Sequence, residues 1–200
     1  MNRVIRIMIP LLLTAAICNA QNMGSMTDPR DGQEYKTVTY EDVSGSKITW
    51  MAENLNYYTS GSYADGTNEN YQKSFGLLYS WGAAKEGCPI GWHLPSNKEW
   101  QVLIDLHGGD DVASKELKST QGWKKEGNGT NSSGFNALPG GTRSAFGFEQ
   151  VGQRGSYWSS SAWDDKSAWE RNFWTGKDKV YSNHYDRSQG VWGSVRCLQN

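Results

Sequence analysis

Residues 79–106, YSWGAAKEGCPIGWHLPSNKEWQVLIDL, decide the fold of this chain. Ser96 is a favourable helix N-cap, and Glu99 completes an S-x-x-E capping box with it. An apolar stripe with helical spacing follows the cap: Trp100, Leu103, Ile104 and His107. Gly108 and Gly109 come next, and glycine is common just past the end of a helix. The pattern therefore predicts a capped amphipathic helix that ends at His107.

The same region predicts two further elements before this helix. Four apolar residues mark a shorter amphipathic helix: Leu77, Leu78, Trp81 and Ala84. The run from Gly91 to Pro95 is too short for a helix and predicts a buried strand. Within that strand, His93 is expected to be a hydrogen-bonded core residue.

Elsewhere, short strand patterns alternate with loops rich in glycine and asparagine. Tyr35–Tyr40 and Lys47–Met51 predict a hairpin that turns at Gly45. A long loop is expected from Asn54 to Gln72, and a short helix from Ala113 to Ser119. Three strands are expected near the C-terminus: Ser156–Ser161, Ala168–Trp174 and Gly190–Leu198.

The composition limits the class of protein. Two hundred residues with a formal net charge of −1 suit one domain with a single core. No basic patch indicates a nucleic-acid partner, and after the leader no apolar run approaches the ~20 residues needed to cross a membrane. The 10 tryptophans and 23 glycines predict an aromatic core and a chain rich in turns.

The start of the chain has the pattern of a secretory signal peptide, residues 1–20, cleaved near Ala20. Cys18 raises the alternative of a lipid-anchored lipoprotein, but Ile17 stands where lipoprotein processing requires a small residue. We therefore expect a secreted or cell-envelope protein. Residues 21–30 are polar and predict a disordered lead-in to a domain that spans residues 31–200.

A series of motifs in this domain resembles the Fibrobacter succinogenes major paralogous domain family. The matching segments lie at residues 50–56 (WMAENLN), 79–81 (YSW), 88–89 (CP), 91–96 (GWHLPS), 99–100 (EW), 137–141 (ALPGG), 157–161 (YWSSS) and 194–197 (SVRC). That family is similar to the C-type-lectin-like superfamily. The resemblance implies an α+β fold in which two short helices pack on small antiparallel sheets, with a long-loop region that carries any binding site.

The resemblance also implies that Cys88, next to a helix, pairs with Cys197 on the last strand. Export supports the same pairing, because two cysteines in an oxidising compartment most simply form a disulfide. The alternatives are a metal pair or a catalytic thiol. His93 lies near Cys88 in the sequence, but one cysteine and one histidine do not make a zinc site.

Neither catalysis nor a cofactor is expected. The chain has three histidines, of which His184, in a predicted loop, is the one that could contact a ligand. The G-x-S-x-G motif of a nucleophilic serine is absent. The segment around Leu94 also resembles the formylglycine-generating enzymes, whose chemistry requires a reactive cysteine pair. Calcium-dependent sugar binding is not expected either, because the E-P-N, Q-P-D and W-N-D motifs are missing, and Trp163-Asp164-Asp165 is the nearest match to them.

Exposed aromatic residues are the remaining functional signal. Sugars bind aromatic faces through their C–H groups, while polar side chains fix their hydroxyls. The ligand-binding candidates are Trp163, Asp164, Trp174, Tyr181, Asn183 and Tyr185. Trp169 and Trp174 differ by five positions and should point to opposite faces of a strand. The sequence thus favours recognition of a polysaccharide; the alternatives are a structural or protein-interaction module of the envelope, and an enzyme of the formylglycine-generating type.

Overall fold

The computed structural model of the chain describes residues 21–41, 44–63 and 69–200, except for the side chain of Glu69. The predicted signal peptide, including Cys18, lies outside the described residues, as does part of the predicted long loop. The described chain is an α+β structure of short helices and small antiparallel sheets, as predicted.

A five-stranded sheet forms one side of the molecule, in the order β1-β2-β3-β12-β6. Its strands are β1 Gln21–Thr27, β2 Glu34–Glu41, β3 Lys47–Met51, β6 Trp92–His93 and β12 Leu198–Gln199. The predicted hairpin is confirmed, with Val38 opposite Trp50 and Gly45 in the left-handed conformation at its turn. Two further strands, β4 Ser62–Tyr63 and β5 Leu78–Tyr79, form a separate two-stranded ribbon.

The helices in the described residues are α1 Glu69–Phe75, α2 Trp81–Gly87, α3 Asn97–Leu106 and α4 Ala113–Leu117. The capping box of α3 is present in both directions, because Ser96 Oγ accepts from the Glu99 N–H and the Glu99 carboxylate accepts from the Ser96 N–H. Burial alone would raise the pKa of Glu99, but the hydrogen bonds from Ser96 and His93 hold it below its usual value. Trp100, Leu103 and Ile104 are fully buried, so the predicted apolar stripe is confirmed.

A three-stranded sheet, ordered β11-β10-β9, carries the C-terminal third. Its strands are β9 Arg154–Ala162, β10 Ser167–Trp174 and β11 Val180–Asp186. A short ribbon of β7 Thr142–Ser144 and β8 Gly147–Glu149 precedes it. The inner face of the three-stranded sheet supplies Tyr157 and Phe173 to an aromatic core shared with Trp50, Trp100 and Phe135.

A second core cluster lies around the disulfide between Cys88 and Cys197, whose Cα atoms are 5.8 Å apart. Cys88 ends α2 and Cys197 precedes β12, so the predicted link between a helix and the last strand is confirmed. Much of the chain between Gly193 and Cys197 is not a regular strand. It passes through the interior instead, where its carbonyl groups accept from the N–H groups of Met51, Leu55 and Tyr79.

Several sequence predictions are wrong in detail. Residues 21–27 were expected to be disordered but form β1, because each of them has a register partner in β2. Leu77 and Leu78 precede α2, and Leu78 belongs to β5, because the Ser80 side chain caps the helix. His93 is hydrogen-bonded, to Glu99 and Asn200, but is half-buried at the sheet edge and not in the core.

Candidate functional site

The turn between β9 and β10 is built by Asp164. Its carboxylate accepts from the backbone N–H groups of Lys166, at 2.8 Å, and Ser167, at 2.6 Å. These backbone hydrogen bonds lower the pKa of Asp164. The N–H of Trp163 donates to the Ser167 carbonyl across the same turn. Asp164 therefore shapes the turn and holds the backbone of Trp163 in place.

An aromatic cluster of Trp163, Trp169 and His184 lies beside this turn. The rings of Trp163 and His184 stack with centroids 4.7 Å apart and planes inclined by 12°. Trp169 meets Trp163 edge-on at 4.6 Å and meets His184 at 5.7 Å. Trp169 and His184 are register partners on β10 and β11, so the strand pairing places their side chains on one face. The cluster is on the surface, because 52% of Trp163 is exposed.

A polar patch continues from the aromatic cluster along the same face of β10. Arg171 follows Trp169 by two positions and so lies on the same face, roughly 7 Å along the strand. Its guanidinium donates to the backbone carbonyl of Asn97, at 3.2 Å, and lies 3.8 Å from the Asp110 carboxylate. Burial lowers the pKa of Arg171, and Asp110 opposes that shift.

Two atoms of this polar patch are buried without a hydrogen-bond partner in the described chain: Arg171 Nε and Asn97 Oδ1. Buried polar atoms in native proteins are nearly always paired. Both atoms are inaccessible to solvent, so they belong to the packing contact between α3 and β10 beneath the aromatic cluster, on the face that also carries Phe173.

The opposite face of the same sheet carries a buried ion pair. Arg154 donates to Glu170 at 3.0 Å, to Asn172 at 2.6 Å and to the Tyr185 hydroxyl at 2.7 Å. Glu170 is fully buried and also accepts from Ser156 Oγ at 2.6 Å. Burial raises the pKa of Glu170, while Arg154 and Ser156 act in the other direction. This network joins the three strands of the sheet through their side chains.

The six predicted ligand-binding residues do not share one surface. Trp163 and Asp164 lie at the turn, next to the aromatic cluster. The other four project from the face that carries Arg154, by the alternation of β10 and β11: Trp174, Tyr181, Asn183 and Tyr185. The Trp174 ring lies 5.3 Å from the Arg154 guanidinium, and Tyr185 accepts from it. Trp169 and Trp174 do lie on opposite faces, as expected.

The sequence interpretation missed the polar half of the site. The spacing of Trp169 and Arg171 was available as a signal, because residues two apart on a strand share a face. His184 was assigned to a loop, whereas it lies in β11 opposite Trp169. Asn97, at the start of α3, comes to the sheet only through tertiary packing, for which the sequence gives no local signal.

In the residues that the structure describes, no group of three or more His, Cys, Asp or Glu side chains could hold a metal ion. None of the helices described is long and apolar enough to cross a membrane.

Comparison with known proteins places the chain in a family. The family model described as the Fibrobacter succinogenes major domain matches residues 43–199. Neither the curated proteins nor the solved structures contain a match to the chain. The similarity to C-type-lectin-like domains therefore stays a prediction. The match covers most of the chain and agrees with the motifs at residues 50–56, 91–96 and 194–197, so this protein belongs to the Fibrobacter succinogenes major domain family.

Proposed function

We propose that this protein is an exported, non-catalytic recognition domain of the bacterial cell surface, and that it binds polysaccharide at the aromatic cluster. The observation that carries the proposal is the stack of Trp163 on His184, held edge-on by Trp169. Trp163 is half exposed although it is fixed by two ring contacts and by its turn. An aromatic surface that is already ordered loses little conformational entropy on binding.

The chemistry of the neighbouring residues fits a sugar. The exposed side of Trp163, with Trp169 and His184 packed against the same ring, suits the C–H side of a pyranose ring, and aromatic side chains contribute large apolar contacts in such sites. On the same strand face as Trp169, the buried Arg171 guanidinium lies 3.8 Å from the Asp110 carboxylate, whose side chain is 44% exposed and can accept hydrogen bonds. A few convergent polar groups beside an apolar surface are typical of small-ligand sites.

Two observations support export and a lack of catalysis. The pattern of residues 1–20 is that of a signal peptide, and a disulfide such as Cys88–Cys197 persists in oxidising compartments. That disulfide also leaves neither cysteine as a free thiol for chemistry of the formylglycine-generating type.

A second candidate function, a protein-interaction module, is favoured by a different observation. β11 is the outer strand of its sheet and runs for seven residues, Val180–Asp186. An edge strand presents backbone groups to which another chain can add a strand. This function requires no affinity for sugar.

The test is retention of the folded chain on insoluble cellulose and on a panel of polysaccharides, with and without a chelator. Trp163→Ala and His184→Ala should each weaken binding about tenfold or more, as expected of a central aromatic contact. Trp174→Ala is the matched variant on the opposite face and should bind normally. Thermal unfolding of every variant checks that the fold is intact.

Each outcome has a defined meaning. Normal retention of Trp163→Ala would remove the aromatic cluster as the site. Loss of binding in Trp174→Ala alone would move the site to the face of Arg154. If no polysaccharide retains the wild-type chain, polysaccharide recognition is wrong and the protein-interaction module becomes the leading function. Chelator should have no effect.

A further inference from the structure

A cavity of about 850 Å³ lies away from the aromatic cluster. Its walls come from the start of β2, the segment after β3, the C-terminal end of α1, and the loops around residues 121 and 136. The volume lies within the range of about 300–1,000 Å³ that is typical of ligand sites. None of the six ligand-binding candidates from the sequence lines it.

A directional chain of side-chain amides forms one wall of this cleft. Tyr58 Oη donates to Gln72 Oε1 at 2.9 Å, Gln72 Nε2 donates to Asn56 Oδ1 at 2.9 Å, and Asn56 Nδ2 donates to Gln33 Oε1 at 3.0 Å. All three hydrogen bonds end on an amide oxygen; the first is donated by the Tyr58 hydroxyl, and the other two each use one of the two hydrogens on an amide nitrogen. In this hydrogen-bonded series, each of the three amide oxygens already accepts a hydrogen bond, while each amide nitrogen keeps a hydrogen that it can donate to a ligand.

The charged residues of the cleft add further donors. Lys36 and Lys73 are exposed at its walls, and each ammonium group carries three donors. Of the two acidic residues at the cleft, Glu53 already accepts from the backbone N–H of Lys36, at 2.7 Å. Glu34 is exposed at the rim.

A buried positive charge lies directly beneath the cleft. Arg196 is fully buried and donates to Asn54 Oδ1 and to the backbone carbonyl of Asn136, both at 2.7 Å. Asn54 and Asn136 also line the cleft. The remaining hydrogen bonds of Arg196 go to the Met51 and Phe135 carbonyls, so its direct partners are neutral oxygens, while the Glu53 carboxylate at the cleft acts on its charge through space. The positive charge of Arg196 contributes to the electrostatic potential at this wall of the cleft.

We propose that this amide-lined cleft is a second binding site, and that it takes a carboxylate-bearing, hydroxyl-rich ligand, namely a uronic acid unit of an acidic polysaccharide. The carboxylate would accept charge-assisted hydrogen bonds from Lys36 and Lys73, which are stronger than those between neutral groups. The sugar hydroxyls would accept from the amide hydrogens of Gln72, Asn56 and Gln33. The site is independent of the aromatic cluster.

The test is calorimetric titration of the whole folded chain at low ionic strength with a galacturonate oligosaccharide and with its methyl ester. The free acid should bind and the ester should bind at least about threefold more weakly. The double variant Lys36→Gln/Lys73→Gln should weaken binding of the acid by about threefold to tenfold. Glu34→Gln should strengthen it, and rising salt should weaken it, because the lysines are exposed.

Two controls separate this site from the aromatic cluster and from general charge effects. Lys98→Gln removes an exposed lysine outside the cleft and should leave the affinity unchanged. Trp163→Ala should keep its affinity for the galacturonate, even if it loses neutral polysaccharide. Equal affinity for acid and ester, no binding of the acid, or normal binding by the double lysine variant would each overturn the proposal.

Discussion

Arg196 donates from Nε to Oδ1 of Asn54 at 2.7 Å, although the two residues lie 142 positions apart. Asn54 in turn donates to the Phe75 carbonyl and to Ser194 Oγ. The hydrogen bond thus joins the motif at residues 50–56 to the one at residues 194–197. Arg196 also lies over the rings of Phe135 and Tyr157, at 4.7 and 5.7 Å, which places its charge within the aromatic core.

Replacing Arg196 with methionine should therefore be strongly destabilising. The change keeps most of the apolar stem but leaves the Asn54, Met51, Phe135 and Asn136 oxygens without their donor. Each unsatisfied buried acceptor costs ~1–3 kcal/mol, so the free energy of unfolding should fall by about 3 kcal/mol or more. Urea unfolding measures the change. Lys98→Met, at an exposed lysine, is the control and should have little effect; a loss of under about 1 kcal/mol for Arg196→Met would contradict the structural role.

Reduction of the Cys88–Cys197 disulfide should lower stability without abolishing the sheet order. The bond closes a loop of 109 residues, and the chain-entropy account assigns such a loop about 4–5 kcal/mol. We expect the Cys88→Ser/Cys197→Ser variant to lose about 2–5 kcal/mol in denaturant unfolding. Wild type with reductant should match the double variant, and the double variant should not respond to reductant. A reductant effect on the double variant would show that the stability change has another source.

Trp158 and Trp163 are close in the sequence but should differ sharply in their contribution to the free energy of unfolding. Trp158 is 1% exposed and its indole N–H donates to the Tyr79 carbonyl at 2.7 Å. Trp158→Ala should cost about 3–5 kcal/mol because it leaves a large cavity. Trp163→Ala should cost about 1 kcal/mol or less, which is the magnitude of an aromatic pair. Thermal unfolding of both variants tests the difference, and equal losses would mean that Trp163 is part of the core.

The capping box should give α3 an acid-dependent component of stability. The pKa of Glu99 is lowered in the folded state, so the unfolded chain binds this proton more readily. The contribution is therefore complete above a pH of about 4.5, the usual glutamate value, and is lost as the pH falls through the lowered pKa. Glu99→Gln keeps the capping geometry and removes the titration. The stability difference between wild type and Glu99→Gln should shrink on acidification; a difference that stays constant would refute the linkage.

The local elements were the predictable part of this structure. Ser96 and Glu99 define the start of α3 because both partners of a capping box lie within one turn. The β2–β3 hairpin follows from alternation around Gly45. The predictions were wrong for segments whose structure depends on contacts with residues outside the segment itself. β1 was taken as disordered because its polar sequence carries no burial signal, yet β2 provides it with a complete set of register partners.

For the candidate sites, too, some features could be predicted from the sequence and others depend on tertiary packing. The sequence by itself determined the family, the disulfide pair and which aromatic and polar residues are available for a binding site, because these depend on residue identity and on spacing along the chain. Only the tertiary structure decided that Trp163 stacks on His184, that Tyr185 turns to Arg154, and that Gln33, Asn56 and Gln72 form one wall of a cleft. The physical reason is strand pairing: a shift of one residue in register moves every side chain to the other face, and register is set by contacts between distant segments.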